Sequence, residues 1–292
     1  MARRGPAEPL LGPPAWRVWL RRALANRGAV AGAIVSLLFV LVAVLAPWLA
    51  PYDPLAQDLG ARLQPPGANH WLGTDDLGRD VLSRLIAGAG ISLQVGLLSV
   101  SLAFAAGAAI GLCAGYAGGW VDEALMRLVD VLMAFPTILL AILVVAILGP
   151  SLTNAMLAVA IVNVPTYARL VRASALVVAR QEYVSAARAL GAGHARIALL
   201  HVFPNCLTPL VVQATLGIAA AILETAGLSF LGLGAQVPAP EWGAMLNGSR
   251  AFIRSAPWTV MFPGLAIMAV VLGFNLLGDG LRDLLDPRSG RQ

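Results

Sequence analysis

The sequence predicts an all-α polytopic membrane protein with six transmembrane helices. Hydrophobic residues make up 59% of the 292 residues, and charged residues make up only 12%. Soluble domains carry about 25% charged residues, so this chain lacks the charged surface that a soluble fold of its length would need. Apolar segments recur six times, which indicates that most of the surface faces a lipid bilayer.

The apolar segments define the expected spans. They cover residues 29–49, 91–115, 131–148, 152–170, 207–233 and 260–277. The first contains 21 residues, and a helix of that length crosses a hydrocarbon layer of about 30 Å. A signal-peptide core is shorter, about 7–15 residues. Prolines at positions 47 and 51 also make a poor setting for cleavage, so we expect this span to remain in the protein.

Two spans have features of helices that pack against protein. In the second, Gly107 and Gly111 lie at a spacing that lets helices approach closely in lipid. In the fourth, Asn154, Asn163 and Pro165 interrupt the apolar run. Polar and helix-breaking residues are tolerated at membrane depth where protein surrounds them. We therefore expect the fourth span to be covered by protein rather than by lipid.

A polar, turn-rich loop at 51–90 separates the first two spans. Near its end, Thr74, Asp75 and Asp76 can cap a short helix, because acids are stabilised at the positive helix terminus. The apolar residues that follow, at 81–86, fall on one face of that helix. An interfacial helix that feeds the second span is the simplest interpretation.

The chain reads as one membrane domain whose arginines indicate its orientation. Its parts are a basic cytoplasmic leader at 1–28, the first transmembrane helix at 29–50, an outer loop with an interfacial helix at 51–90, a five-helix core at 91–280 that includes a cytoplasmic loop at 171–204, and a cytoplasmic tail at 281–292. The leader holds six arginines, and the stretch 169–196 adds five more. The two large outer loops hold five arginines together, and the first also holds five aspartates. This asymmetry places both termini in the cytoplasm.

Residue types exclude several functions. All 20 basic residues are arginine, so the chain cannot supply the lysine of a Walker-type phosphate-binding loop. His70, His194 and His201 are isolated, and Cys113 and Cys206 lie in or beside apolar runs, so we expect no metal site and no disulfide. No nucleophile–base motif suggests an enzyme. Membrane topology and lipid headgroups explain the cytoplasmic arginines better than nucleic acid does.

The cytoplasmic loop between the fourth and fifth spans is long and has little turn chemistry. Residues 182–190 are good helix formers, and Gly191 is placed to end the helix that they form. Residues 195–201 can form another turn or two, stopped before Pro204. These features predict a compact helix–turn–helix, with small residues at 186–187 that let a partner pack closely. The alternative is an ordinary connection between two spans.

The same loop carries a resemblance to a known family. Ser185, Ala186 and Ala187, followed by Gly191 and Pro204, sit at the spacing of the "EAA" loop of ABC importer permeases. Further segments match that family at 70–80, 116–122, 134–136, 224–234 and 274–283. Together they resemble the C-type permease subunit of the dipeptide/oligopeptide (peptide/nickel) group of binding-protein-dependent importers, over roughly residues 15–288. The resemblance implies a type I ABC importer permease fold.

The resemblance also implies which residues meet the ATP-binding subunit, since in that family the loop is a coupling helix that enters a cleft on it. The implied ATPase-coupling residues are Glu182, Tyr183, Ser185, Ala186, Ala187, Arg188, Gly191 and Pro204. The family often has an acid where Ser185 stands, and a serine cannot supply an ion pair. The usual aliphatic residues before the loop proline are replaced by His201 and Phe203.

The partners and location are likewise implied by the resemblance. They are a homologous B-type permease subunit, two ATP-binding cassette subunits that hold ATP and Mg, an extracytoplasmic substrate-binding protein, and the lipid of a bacterial inner membrane. The chain itself is expected to bind no cofactor. It is expected to form the translocation path and to transmit the motion of the ATP-binding subunits to it, rather than to hydrolyse ATP. Relatives carry dipeptides, longer peptides, glutathione or nickel complexes, and the sequence does not choose among these substrates.

Glu224 lies inside the fifth span, where placing an ionised acid costs at least ~2.5–3.5 kcal/mol of free energy unless the acid is paired or hydrated. We therefore expect it to face the interior of the bundle. One interpretation makes it a lining group of the translocation path, facing a substrate amine. The other makes it a hydrogen-bond clamp between helices, with Asn163, Gln213 or Asn275 as its partner. These four residues are the candidates for the path.

Two other classes of function remain as alternatives. A stand-alone secondary transporter would need intramembrane coupling groups and usually shows repeat symmetry. Glu224 is nearly the only deep acid, and no internal repeat is visible. A membrane scaffold that transports nothing is the second alternative. Partners that copurify with the chain would distinguish the three classes.

Overall fold

A computed structural model describes residues 26–285 of the chain. Residues 1–25 of the predicted leader at 1–28 and residues 286–292 of the predicted tail at 281–292 lie outside the described range. Within them, the regular secondary structure is helical, apart from one isolated β-bridge between Thr74 and Asp80. The prediction of an all-α fold is confirmed.

Five helices in the described range are long and apolar enough to cross a membrane. They are α1 Arg27–Leu49, α2 Val81–Ala117, α5 Leu152–Val178, α7 His194–Phe230 and α9 Trp258–Leu285. The shorter helices there are α3 Gly119–Met133, α4 Thr137–Leu148, α6 Glu182–Ala189 and α8 Trp242–Ser249, with 3₁₀ turns at Leu59–Ala61 and Arg250–Phe252. The bent pair of α3 and α4 supplies a sixth span if it counts as one.

The third predicted span, 131–148, is not one straight helix. α3 and α4 meet at an angle of 92° across a short break. Pro136 is the N-cap of α4, and a proline cannot donate to the turn before it, so the break falls where the helix cannot continue. α4 has 12 residues, about 18 Å at 1.5 Å per residue. It is therefore too short to cross a hydrocarbon layer of about 30 Å alone.

The cap predicted at 74–76 is wrong, and the predicted short helix at the end of loop 51–90 is the start of α2 and not a separate element. Asp80, rather than the acids before it, is the N-cap of α2, and its Oδ2 accepts a hydrogen bond of 2.8 Å from the backbone N–H of Ser83. From that cap α2 runs without a break for 37 residues. Asp75 instead closes a tight turn, where its backbone N–H donates to the carbonyl of Arg79 at 3.0 Å.

Pro165 and Pro204 lie within long helices, and the stop expected before Pro204 is absent. α5 passes through Pro165 and ends at Val178, beyond its predicted end at 170. Pro204 does not stop the preceding turns, because the π-helical segment Ile197–Val202 leads directly into the α-helical part of α7. There Pro204 occupies the first turn, where a missing N–H costs little because that group has no intrahelical partner.

Glycines bring α2 into close contact with α5, as their spacing predicts. A Cβ at Gly107 would overlap Tyr167, and a Cβ at Gly111 would overlap the backbone carbonyl of Ala168. The buried core lies between α2, α5 and α7, with Tyr167 and Leu210 among its fully buried side chains. α1 packs against α9 by a similar close approach, in which a Cβ at Gly32 would meet the α9 backbone.

Candidate coupling and translocation sites

α6 ends in a turn that depends on glycine. Gly191 has a φ of 79°. Its N–H donates to the carbonyl of Arg188 at 3.0 Å, and the N–H of Ala192 donates to the carbonyl of Ala187 at 3.1 Å. This pair of bonds is the Schellman arrangement, which satisfies the last carbonyls of a helix when the residue after the C-cap is left-handed. The predicted helix and its glycine stop are both present.

The predicted coupling residues lie together at one end of the bundle, here called the α6 end. Six of them lie on α6, Gly191 lies in the turn, and Pro204 lies in the first α-helical turn of α7 beyond the π-helical segment. Val184 is the one fully buried side chain of α6, and it belongs to the main core. By contrast, Leu190 is 89% exposed and Tyr183 is 46% exposed. α6 is thus anchored by Val184 and by a hydrogen bond of 3.3 Å from the hydroxyl of Tyr183 to the carbonyl of His201, and it presents a mostly free face.

Both ends of the α6 loop are joined to long helices. After α5, the N–H of Gln181 donates to the carbonyl of Val178 at 3.0 Å, so the chain passes into α6 through a tight turn. On the other side, the hydroxyl of Tyr116 near the end of α2 lies 3.1 Å from Nδ1 of His194, the first residue of α7. A displacement of α6 therefore reaches α2, α5 and α7 through short connections.

Two ion pairs, which the sequence reasoning missed, hold α3 against α5 near the α6 end. The guanidinium of Arg172 contacts both carboxylate oxygens of Asp122, at 2.5 and 2.7 Å. Arg169 donates to Asp130 at 2.6 Å. A bidentate arginine–carboxylate pair fixes orientation as well as distance. The sequence feature that could have predicted these pairs is the presence of two acids on α3 and two arginines one turn apart on α5. The sequence alone indicated only that these charges flank spans.

Glu224 pairs with one of its three predicted partners. The amide Nδ2 of Asn163 donates to Oε2 of Glu224 at 2.8 Å, and it also donates to the carbonyl of Val159 at 2.9 Å. Both side chains are half-buried where α5 meets α7. Within residues 26–285, no hydrogen bond joins Glu224 to Gln213 or Asn275. The pair therefore clamps two helices and leaves part of the carboxylate accessible.

The other two path candidates lie elsewhere. Gln213 borders a recess with Thr208, Leu170 and Arg282, where α5, α7 and α9 approach one another. Asn275 is half-buried on α9. No group of three or more His, Cys, Asp or Glu side chains in the described part of the chain is placed to hold a metal ion.

Comparisons with known proteins give the family. Residues 107–291 match the family described as "Binding-protein-dependent transport system inner membrane component", and residues 15–66 match the "N-terminal TM domain of oligopeptide transport permease C". The chain is 53% identical to a dipeptide transport system permease protein, DppC, of Alkalihalophilus pseudofirmus, over 94% of this chain and 90% of the relative. It is 52% identical to DppC of Escherichia coli over 90% of each chain. A glutathione transport system permease protein, GsiD, of Pectobacterium atrosepticum is 47% identical over 94% of this chain and 91% of its own.

Solved structures give the same fold. Two inward-facing crystal forms of the MetNI methionine ABC transporter align with TM-scores of 0.57 and 0.55, at 19% and 20% identity. They cover 69% and 70% of this chain and 96% and 97% of their own. Members of this family are transporter subunits whose ATPase activity lies in separate subunits, so a stand-alone secondary transporter is excluded. The chain belongs to the binding-protein-dependent transport system inner membrane component family, as a multi-pass C-type permease subunit of an ABC importer.

Proposed function

We propose that this chain and a homologous B-type permease enclose the translocation path of an importer for peptides or peptide-like solutes. The names of its relatives support this substrate class, since two of them transport dipeptides and one transports glutathione. The membrane is a bacterial inner membrane, with both termini and the α6 end in the cytoplasm. The arginine-rich stretch 169–196 lies at that end, as the positive-inside rule requires.

In this proposal α6 is the coupling helix, received by one of two ATP-binding subunits that hold ATP and Mg. The chain itself binds no cofactor. The observation that carries this role is an eight-residue helix that buries only Val184 and is closed by Gly191, with Leu190 89% exposed. Covering a leucine side chain gains about 1.5–3 kcal/mol. ATP-driven closure of the two ATPases then moves α6, and its short connections to α5 and α7 carry the motion into the spans.

The proposed coupling role is tested by Leu190→Asp in the assembled transporter. Because Leu190 lies in solvent in this chain, the substitution should leave folding intact while it removes the apolar contact with the ATPase. We expect ATP-dependent uptake of a labelled dipeptide to fall at least about tenfold, the effect of losing about 1.4 kcal/mol or more. Leu190→Met, which keeps an apolar contact of similar volume, should transport normally. Normal uptake by Leu190→Asp would contradict the assignment.

Within the path, we propose that Glu224 faces the amino group of the substrate. Its free surface and its hydrogen bond from Asn163 hold a carboxylate at the junction of α5 and α7. Glu224→Gln keeps the volume and the bond to Asn163 but removes the charge. We expect a higher KM for peptides with a free amino terminus and an unchanged KM for N-acetylated peptides that the importer accepts. Equal effects on both classes would reduce Glu224 to a helix clamp.

In this proposal the substrate reaches the path from a separate protein outside the membrane. An extracytoplasmic binding protein delivers the solute to the outer loops, and it contributes most of the choice between dipeptides, longer peptides and glutathione. Proteoliposomes that contain both permeases and both ATPases should take up peptide only when this protein and internal ATP are present. Uptake without the binding protein would contradict this step.

A further inference from the structure

The end of the bundle opposite α6 contains two buried arginines beside a cavity of about 190 Å³. Arg79 is 7% exposed and Arg84 is 3% exposed. The cavity lies between the loop that precedes α2 and the segment 237–249 that includes α8, and its other walls include Val81 and Thr259. A guanidinium stays charged at physiological pH, so burial makes each of its N–H groups demand a partner.

The nearest acid, Asp75, accepts three hydrogen bonds, and none of them comes from Nη1 of Arg79 or Nε of Arg84. Its Oδ1 accepts hydrogen bonds from the backbone N–H groups of Leu77 and Arg79, at 2.9 and 3.0 Å. Its Oδ2 accepts from Nε of Arg79 at 2.7 Å. The next acid, Asp76, lies 3.7 Å from Nη2 of Arg79, which is too far for a hydrogen bond.

Two further carboxylates nearby are also occupied. Asp80 bonds His70 with one oxygen, at 2.9 Å, and the N–H and hydroxyl of Ser83 with the other. Glu241 caps α8, where its Oε2 accepts from the N–H of Ala244 at 2.7 Å. Each would have to leave a helix cap or turn to reach the arginines. Asp75 and Asp76 lie within ion-pair distance of the two guanidinium groups, but within residues 26–285 no carboxylate accepts a hydrogen bond from Nη1 of Arg79 or Nε of Arg84.

Donors remain on both arginines. Nη1 of Arg84 donates to the carbonyls of Pro54 and Pro238, at 3.1 and 3.4 Å, and so joins the two loops at this end. Nη1 of Arg79 and Nε of Arg84 are buried and, within residues 26–285, have no hydrogen-bond partner. Nε of Arg84 lies 3.5 Å from Oδ2 of Asp75, a charge contact without a hydrogen bond. Leaving charged donors unsatisfied in this way costs more than an ordinary hydrogen bond contributes.

We propose that this cavity binds a small monovalent anion of the carboxylate class, held by Nη1 of Arg79 and Nε of Arg84. A carboxylate offers two oxygens to a pair of guanidinium groups, which is the geometry that arginine favours. Because Arg84 also holds both loops, the bound anion stabilises the contact between the loop before α2 and the segment that carries α8. The anion is either a free ion or an acidic side chain of a protein that docks at this end.

The test uses the complete transporter in detergent, with thermal unfolding followed at increasing sodium acetate and constant ionic strength. A bulky sulfonate balances the salt. We expect the midpoint to rise and saturate for the wild type. Arg79→Gln should raise the half-saturating acetate concentration about tenfold or more, as expected for the loss of one charge-assisted hydrogen bond. Arg254→Gln, an exposed arginine outside the cavity, is the matched control and should respond like the wild type.

A second variant covers the case in which Arg79→Gln does not fold. Gly248 lies at the cavity rim, and a Cβ there meets no atom within 4 Å, so Gly248→Leu blocks the cavity and leaves every ion pair in place. It should lose the acetate response, whereas Gly67→Leu on the preceding loop should keep it. A response that never saturates, or one shared equally by all these variants, would overturn the proposal.

The same thermal-unfolding assay identifies the source of the anion. If addition of the external binding protein abolishes the acetate response of the wild type, an acidic side chain of that protein competes for the cavity. If the response persists unchanged, the ligand is a free anion. Both results support an anion site, and they differ only in what fills it during transport.

Discussion

Gly191 offers the most specific perturbation of α6, the proposed coupling helix. Its φ of 79° belongs to the left-handed region, and a Cβ at this position would meet no atom within 4 Å. Gly191→Ala therefore introduces no clash, and its cost is the conformational one alone, about 1–2 kcal/mol. That amount shifts an equilibrium about 5- to 30-fold. We expect the turn to open, the C-terminal half of α6 to fray, and docking to weaken by that factor.

The assay is the substrate-stimulated ATPase rate of the assembled transporter in nanodiscs, with assembly checked by size-exclusion chromatography. Gly193→Ala is the matched control, because it lies two residues away, has a φ of −67° and also has open space around a Cβ. Gly191→Ala should lower coupling while Gly193→Ala does not. Equal rates for the two variants would refute the idea that the left-handed turn holds the coupling helix in place.

Three further predictions concern the bundle. Gly111→Leu places a side chain on the backbone carbonyl of Ala168, so α2 and α5 must separate, and we expect loss of the folded protein in detergent by fluorescence-detected chromatography. Arg172→Ala breaks the pair with Asp122, which is partly exposed and so contributes about 1 kcal/mol or less, and the unfolding midpoint should fall slightly. Exchanging the two residues keeps the pair and should return the midpoint to the wild-type value. Burial raises the pKa of the Glu241 carboxyl from 4.5, so the folded state holds that proton more tightly, and the free energy of unfolding falls as pH rises above about 4.5. Glu241→Gln should remove this dependence in a series of thermal unfolding curves.

Helix α6 was predictable because its signals are local. Residues 182–190 favour a helix, and the glycine that follows supplies the left-handed residue of a Schellman turn. The clamp between Glu224 and Asn163 was predictable as one of three possibilities, since an acid at membrane depth needs a polar neighbour. Choosing among the three partners required the packing of α5 on α7, which no local pattern contains.

Prolines and caps were harder to interpret. Pro165 lies inside a continuous α5, Pro204 lies in the first α-helical turn of α7 after its π-helical segment, and Pro136 marks a 92° bend. The same residue type tolerates, starts or breaks a helix according to the turn in which it falls. Similarly, three aspartates precede α2 within six residues, and each could cap a helix; in the structure Asp80 caps α2 while Asp75 pairs with Arg79.

Long-range charge pairs escaped the sequence reasoning altogether. Arg172 and Asp122 are separated by 50 residues, and Arg84 reaches the carbonyl of Pro238 across 154 residues. The charge pattern located these arginines near span ends but did not identify their partners. Partner choice depends on the bend between α3 and α4 and on the way the outer loops fold over the end of α2.

The most direct test of the account is a crosslink from α6 to an ATP-binding subunit. Cys113 is exposed, so it is first replaced by serine, and Ser185→Cys then supplies a unique exposed thiol on α6. With a short bifunctional reagent and a cysteine in the cleft of the ATPase, we expect a crosslink whose yield changes when ATP is bound. Absence of any crosslink in an active transporter, or labelling of this thiol from outside intact cells, would contradict the proposal that α6 is the cytoplasmic coupling helix.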